Sequence, residues 1–358
     1  MYSKDNIVER VRRRVALMAQ KEQRGLILQP GAIGDCILTL PLAHFMKGAL
    51  TIGGVDMFGH TEYTGFFPGR TSVDGVASIE SIHLHRLFAD AKDFEVADDD
   101  PLIRAFANYT WIATFMGEPN SDFEQNLIFT VNCSHSAEVV TLPMRPPADC
   151  CCHLSEYYIG QFAEQCDVES ARRYSAADSC LIRADASDIE RGSRLLEELD
   201  IEANGKLAVI HPGSGGRHKS WHLANFLAVA KELISSGIEV LFLLGPAELE
   251  RFDNTAIGEV GAVAKYAANL TLTDVLAVLS NADVFLGNDS GITHLSAGLG
   301  VRTAALFGPT EPAVYSPIGP AVTVVKSDQP DFTQRPSPDM QREVLNALFN
   351  APQGRHAD

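Results

Sequence analysis

The apolar run Val284-Phe285-Leu286 breaks into Gly287-Asn288-Asp289-Ser290-Gly291-Ile292-Thr293-His294, and then into Leu295-Ser296-Ala297-Gly298-Leu299. A buried strand turning through glycine into a helix is the reading that fits this order. Few folds accommodate such a turn outside a sheet with helices on its faces. The turn leaves unpaired backbone N–H groups at the helix start, with the helix dipole behind them, and such a start binds anions, phosphate above all. Ser290 and Thr293 add hydroxyls, and His294 adds a ring donor. A well-capped turn with no ligand would look the same if this were the only such segment.

Two further segments repeat the pattern. Leu26-Ile27-Leu28 runs into Gln29-Pro30-Gly31-Ala32-Ile33-Gly34-Asp35-Cys36-Ile37-Leu38-Thr39-Leu40-Pro41. Gly31 and Gly34 allow close approach of a ligand to the backbone, and Asp35 falls in the first turn of the helix. There it serves either as a helix cap or as a carboxylate facing the sheet's carboxyl edge. Ala208-Val209-Ile210 runs into His211-Pro212-Gly213-Ser214-Gly215-Gly216-Arg217-His218-Lys219-Ser220-Trp221. This glycine-rich loop carries cations, which suits a diphosphate. The alternative is ordinary solvated charge.

Together these segments resemble the heptosyltransferases, glycosyltransferase family 9. The resemblance rests on the Gly-Asp start at Gly34-Asp35, the His211-Pro212-Gly213-Ser214 loop with Lys219 and Trp221, the Asn288–Leu295 helix start and the following Leu306-Phe307-Gly308-Pro309-Thr310. It covers roughly residues 25–320. The resemblance implies the two-domain GT-B fold, an α/β architecture of two doubly wound Rossmann-like domains facing a cleft. It further implies inverting transfer of a heptose or related sugar from a nucleoside-diphosphate sugar, ADP-heptose by the family's pattern. The acceptor it implies is a lipopolysaccharide core or related glycan.

Inverting transfer needs a base, a held donor and stabilisation of the departing diphosphate. The resemblance puts Asp35 in the position of the base, ionised at neutral pH. Ser214, Lys219, Ser290, Gly291 and Thr293 are the expected diphosphate partners, Lys219 supplying the charge. Glu248, with Glu250 as a competitor, is the expected ribose partner. Asp289 and His294 are expected at the nucleoside or sugar, and Gly31 and Gly34 in the acceptor loop. Neither a cofactor nor a metal is expected: a lysine and a helix dipole can neutralise the diphosphate. Asp98-Asp99-Asp100 reads as solvated charge rather than a metal motif. The chain departs from the family at Gln29, where a basic residue is common, which removes one partner for an acidic acceptor. It departs again at Ser290, where threonine is common.

Competing functions fit less well. An epimerase or hydrolase of similar shape needs its own acid–base pair, and a silent nucleotide-binding protein has no use for Asp35 together with Lys219 and the anion-binding helix start. A dinucleotide oxidoreductase lacks its Gly-x-Gly-x-x-Gly after the first strand. The net charge of -17 excludes nucleic acid as a natural partner. Seven cysteines, including Cys150-Cys151-Cys152, show no zinc spacing and suit reduced thiols in the cytoplasm. No apolar run reaches membrane-span length and no signal peptide is evident.

With 358 residues, two domains are expected: 1–172 for the acceptor, 173–330 for the nucleotide sugar, and a helix over 331–358, opened by Ser337-Pro338, which the resemblance implies packs back on the first domain. Residues 6–20 read as an amphipathic helix, in a segment where residues 1–24 hold seven basic and three acidic side chains. It either packs on the first domain, which its narrow stripe favours, or makes a peripheral contact with anionic inner-membrane lipid. Strands are expected at Leu26–Gln29, Gly54–Phe58, Val76–Glu80, Thr110–Phe115, Leu127–Val131 and Glu138–Leu142, with a helix at His153–Gln165. In the second half, strands are expected at Lys206–His211, Ile238–Leu244, Val284–Gly287 and Thr303–Phe307. Ser187, Ser220 and Thr271 are the expected helix caps.

Overall fold

The computed structural model describes residues 23–168, 180–201, 205–327, 332–333 and 337–350. The expected N-terminal helix at 6–20 lies outside them, as does the 172/173 domain limit.

Two parallel sheets organise the chain. The first has the order β3-β2-β1-β4-β5, built from β1 (Arg24–Gln29), β2 (Gly54–Gly59), β3 (Gly75–Ser78), β4 (Tyr109–Thr114) and β5 (Glu138–Thr141). Its helices are α1 (Ile33–Ala49), α2 (Thr61–Thr64), α3 (Pro101–Phe106), α4 (Asp122–Asn132) and α5 (Leu154–Gln165). The second sheet has the order β11-β10-β9-β6-β7-β8. It comprises β6 (Leu207–His211), β7 (Glu239–Leu244), β8 (Lys265–Ala268), β9 (Val284–Asn288), β10 (Arg302–Phe307) and β11 (Val322–Lys326). Its helices are α6 (Ala186–Glu198), α7 (Leu223–Ser235), α8 (Pro246–Arg251), α9 (Asn254–Val263), α10 (Leu272–Ser280), α11 (Gly291–Gly298), α12 (Pro312–Tyr315) and α13 (Pro338–Asn350).

Central strands are apolar on both faces because helices cover both: Leu26, Ile27 and Leu28 are wholly buried, as are Leu241 and Phe242. In each sheet the strand order reverses once. The reversal lies between β1 and β4 in the first and between β6 and β9 in the second. At such a switch point adjacent strands send their connections to opposite faces and leave a crevice at their carboxyl ends. All three glycine turns leave the carboxyl ends of strands at a switch point: β1 in the first sheet, β6 and β9 in the second.

Several local expectations need correcting. Leu127–Val131 is helical, within α4, where Phe123, Leu127 and Val131 share one buried face at four-residue spacing. The edge strands β8 and β11 are additional; β8 is largely exposed and β11 largely half-exposed, and neither announces a strand. Asp185, not Ser187, caps α6, with Asp188 completing the capping box. His222, not Ser220, caps α7. Thr271 caps α10 as expected. Asp98 and Asp99 are exposed, whereas Asp100 is buried, caps α3 and pairs with Arg86.

The C-terminal helix does not cross back to the first domain. Met340, Val344, Ala347 and Leu348 of α13 share a core with Phe226, Leu286, Ala304 and Leu306 of the second. Asn225 Oδ1 of α7 accepts from Ser337 N and Gln341 Nε2, both at 2.7 Å, and Arg302 Nη1 donates to Leu348 O. The apolar stripe of α13 therefore fills the far face of the second sheet. By contrast, α5 stays with the first domain, where Ser155 Oγ donates to Leu38 O of α1 at 2.7 Å. Among the described residues no helix is long and apolar enough to cross a membrane.

Candidate active site

The two domains meet where α1 and α11 begin. A Cβ on Gly291 would lie 2.0 Å from Ile33 Cγ2, and one on Gly34 would lie 3.5 Å from His294 Cδ2. Two helix N-termini, one from each switch point, are thereby brought face to face. Each contributes unpaired N–H groups and positive dipole potential to one cleft.

Asp35 stands in the first turn of α1, and its Oδ2 accepts from Ala32 N at 3.0 Å. The carboxylate is thus a cap as well as a cleft group. Burial pushes its pKa up; the Ala32 N–H and the charges of His294, Lys219 and Arg145 offset part of that rise. A Cβ on Gly31 would lie 2.7 Å from Asp35 Oδ2, so only glycine leaves the carboxylate its place. Gln29 is wholly buried, bonding Thr39 Oγ1 through Nε2 and accepting from Gly31 N through Oε1. It braces the turn and does not reach the cleft.

On the opposite wall Lys219 Nζ donates to Asp289 Oδ2 at 2.9 Å, and Thr310 Oγ1 donates to the same oxygen at 2.8 Å. His294 Nε2 lies 3.9 Å from Asp289 Oδ1. Burial alone would raise the Asp289 carboxyl, but His294 and Lys219 outweigh it and hold it far below the ordinary range. Ser290 caps α11, its Oγ accepting from Thr293 N.

Asn288 explains why the cationic loop sits beside this helix start. Its Nδ2 donates to Pro212 O at 2.8 Å and Gly213 O at 3.2 Å, while its Oδ1 accepts from Trp221 N at 2.9 Å. One wholly buried amide therefore ties the two turns flanking the β6/β9 switch point together. His211 makes a second tie, 3.4 Å from Glu248 Oε2 through Nε2 and 3.4 Å from Ser290 Oγ through Nδ1. Burial would raise the Glu248 carboxyl; His211 and the Gly245 N–H outweigh it and keep it below the ordinary glutamate value. Gly213 is required here, since a Cβ would lie 1.7 Å from Glu248 Oε1. A cavity of about 480 Å³ opens beside this group, lined by Gly213, Arg217, Trp221, Glu248, Arg251 and Phe252 among others.

The structure therefore gathers Asp35, Gly31, Gly34, Lys219, Asp289, Ser290, Gly291 and His294 around one cleft. Glu248 lines the adjoining cavity and Glu250 is exposed. Two expected phosphate hydroxyls are already committed. Thr293 is wholly buried and bonds Asn288 O, and Ser214 donates to Gly216 O at 2.6 Å. Both hydroxyls are tied into the turns that carry them. Sequence reasoning passed over Asn288, His211, Thr310 and Arg145. Asn288 and Thr310 lay inside quoted motifs, while Arg145 lies in none of them.

Comparison with known proteins agrees with this geometry. The family model described as glycosyltransferase family 9 (heptosyltransferase) matches residues 162–344. A lipooligosaccharide heptosyltransferase 2 from Campylobacter jejuni subsp. jejuni is 32% identical over 150 residues, 40% of this chain and 47% of that protein. The match thus spans less than half the length of this curated relative. A glycosyl transferase family 9 structure from Veillonella parvula superposes with a TM-score of 0.64 at 17% identity, covering 85% of this chain and 86% of that one. An E. coli heptosyltransferase solved with ADP superposes with a TM-score of 0.57 at 18% identity, covering 91% and 100%. These likenesses show the fold, two Rossmann-like domains facing a cleft in the GT-B arrangement. The family model spans just over half of the sequence and contains both turns of the second sheet's switch point; this chain belongs to glycosyltransferase family 9, the heptosyltransferase family.

Proposed function

We propose that the protein transfers a heptose or related sugar, with inversion, from a nucleoside-diphosphate sugar to a lipopolysaccharide core or related glycan. The observation that carries this reading is the half-buried Asp35 carboxylate held across the cleft from Lys219 and the Ser290-capped start of α11. A base and an anion-stabilising group on opposite walls suit displacement at an anomeric carbon. The acceptor hydroxyl loses its proton to Asp35 while negative charge grows on the diphosphate opposite.

In this reading Lys219 and the N–H groups at Ser290 and Gly291 stabilise the leaving diphosphate without a metal. Asp289 orients Lys219, and Asp289 and His294 border the donor sugar. The nucleoside occupies the cavity beside Glu248, whose volume of about 480 Å³ is in the range of small-molecule sites. The ADP bound by the E. coli heptosyltransferase of the same fold supports adenine as the base, and ADP-heptose as the donor follows from the family.

The test is thermal stabilisation across ADP, UDP and GDP, followed by transfer from the preferred donor to a heptose-lacking core acceptor. A ligand at about 100 times its Kd adds about 2.7 kcal/mol of stability. ADP should stand out, and transfer should proceed with the chain as isolated. Equal effects of all three nucleotides would overturn the donor; a nucleotide preference without any transfer would overturn the reaction.

A further inference from the structure

Cys150-Cys151-Cys152 lies in the loop between β5 and α5, and the three thiols are not equivalent. Cys151 is exposed and its Sγ donates to Asp149 O. Cys150 and Cys152 are half-buried, and their sulfurs lie 3.5 Å apart. The next residue, His153, ties the two domains. Its Nε2 donates to Ser316 O of the second domain at 2.9 Å, and its Nδ1 accepts from Ser155 N at the start of α5.

We propose that Cys150 and Cys152 form a reversible thiol–disulfide site, oxidised by low-molecular-weight disulfides, that acts on the interdomain tie at His153. A disulfide needs the sulfurs at about 2.05 Å. Closing from 3.5 Å requires side-chain rotation and a small shift in a loop without regular structure. Burial and the Cys150 sulfur push the Cys152 thiol up to about 11. Cys152 therefore holds its proton more firmly than an ordinary thiol, while Cys150 Sγ lies against both Cys152 Sγ and Cys152 O; the first attack is assigned to Cys150.

The chemistry balances with glutathione disulfide as the oxidant. Cys150 loses its proton and its thiolate attacks one glutathione sulfur, breaking the S–S bond and releasing one glutathione thiolate. Cys152 then loses its proton and attacks the Cys150 sulfur of the mixed disulfide, releasing the second. Two protein thiols are oxidised, one external disulfide is reduced, and the two protons pass to the two departing thiolates. A ring spanning only residues 150–152 is tight, and strained disulfides are readily reduced again. Its strain falls on the peptide that carries His153, so oxidation weakens the bond to Ser316 O.

The full-length protein is equilibrated in glutathione buffers of rising oxidised fraction, quenched with iodoacetamide and analysed by peptide mass spectrometry. The expected result is a 150–152 disulfide with Cys151 still alkylated, reversed by dithiothreitol. C150S and C152S abolish it and C151S does not. Alkylation of both Cys150 and Cys152 in the most oxidising buffer overturns the site, as does a disulfide that uses Cys151. Hydrogen exchange on the same samples reads the tie. Amides next to Ser316 should exchange faster in the oxidised protein, and unchanged rates would overturn the coupling to His153.

Discussion

Lys219 and Asp289 are an ion pair across the β6/β9 switch point, Nζ to Oδ2 at 2.9 Å, with the lysine partly open to the cleft and the carboxylate nearly enclosed. The pair pre-positions the cation where a diphosphate would arrive and prevents it from swinging into solvent. Lys219→Ala removes the cation and leaves the Asp289 carboxylate, among the described residues, with Thr310 and His294 for partners. Stability should fall by about 1–3 kcal/mol, below the full cost of stranding an enclosed charge because those two partners remain. ADP affinity should fall about tenfold or more with the loss of a charge-assisted contact. Calorimetric titration and thermal denaturation on the same sample check both; wild-type ADP affinity would mean that Lys219 serves only the ion pair.

Gly291 meets Ile33 of the first domain at the cleft, and its missing Cβ is what leaves room for that side chain. Gly291→Ala places a carbon 2.0 Å from Ile33 Cγ2, with the Gly34 backbone nitrogen at 3.1 Å behind it. Overpacking of this kind costs about 1–3 kcal/mol. Ile33→Ala costs stability by itself, but it removes the atom that is struck. The double mutant should therefore be less destabilised than the sum of the two singles. Denaturant unfolding of the four proteins measures the coupling, and simple additivity would show that the contact is slack.

Much of this site was legible in the sequence because a continuous apolar run breaking into glycine has few other uses. The turns at Asp35, Lys219 and Ser290 were found that way, and the switch-point topology then explains why they converge. Pairings were not legible: Lys219 and Asp289 are 70 residues apart, and nothing local marks them as partners. The Leu127–Val131 run is too short for its periodicity to separate strand from helix, and its β-favouring residues pointed the wrong way. The stripe on α13 announced a buried face but not which sheet would bury it. Gln29 was read as a lost cation, whereas its amide is fully used inside the Gly31 turn.

His153 gives the domain contact a pH dependence. Burial lowers its pKa from 6.5, the bond to Ser316 O offsetting only part of the effect, and both ring nitrogens are committed in the neutral form. A proton therefore binds the unfolded chain more readily than the folded one. The contribution to stability is fully present above about pH 6.5 and is lost as pH falls from there toward the lowered folded value. His153→Gln, which cannot titrate, should flatten the stability profile across that window. Denaturation midpoints of both proteins at a series of pH values from neutral downward check this; parallel profiles would assign the acid sensitivity to other groups.

Asp35→Asn separates the two jobs that one carboxylate performs. The Asn oxygen can still accept from Ala32 N, so α1 keeps its cap and stability should change little. An amide cannot take the acceptor's proton, so turnover should fall by about 10²–10⁴-fold. Nucleotide affinity should hardly move, because the proposed donor contacts at Lys219, Ser290 and Glu248 all belong to the second domain. In the wild type the base must be ionised, and burial has raised its pKa. The acid limb of activity should therefore lie above the ordinary carboxylate value of 3.8 and be missing from the residual activity of the mutant. Transfer rate against pH and ADP affinity, measured on both proteins, give the decision. Near-normal transfer by Asp35→Asn would reduce Asp35 to a helix cap. Loss of transfer with ADP affinity and melting temperature intact would leave proton removal as the function the mutation has taken away.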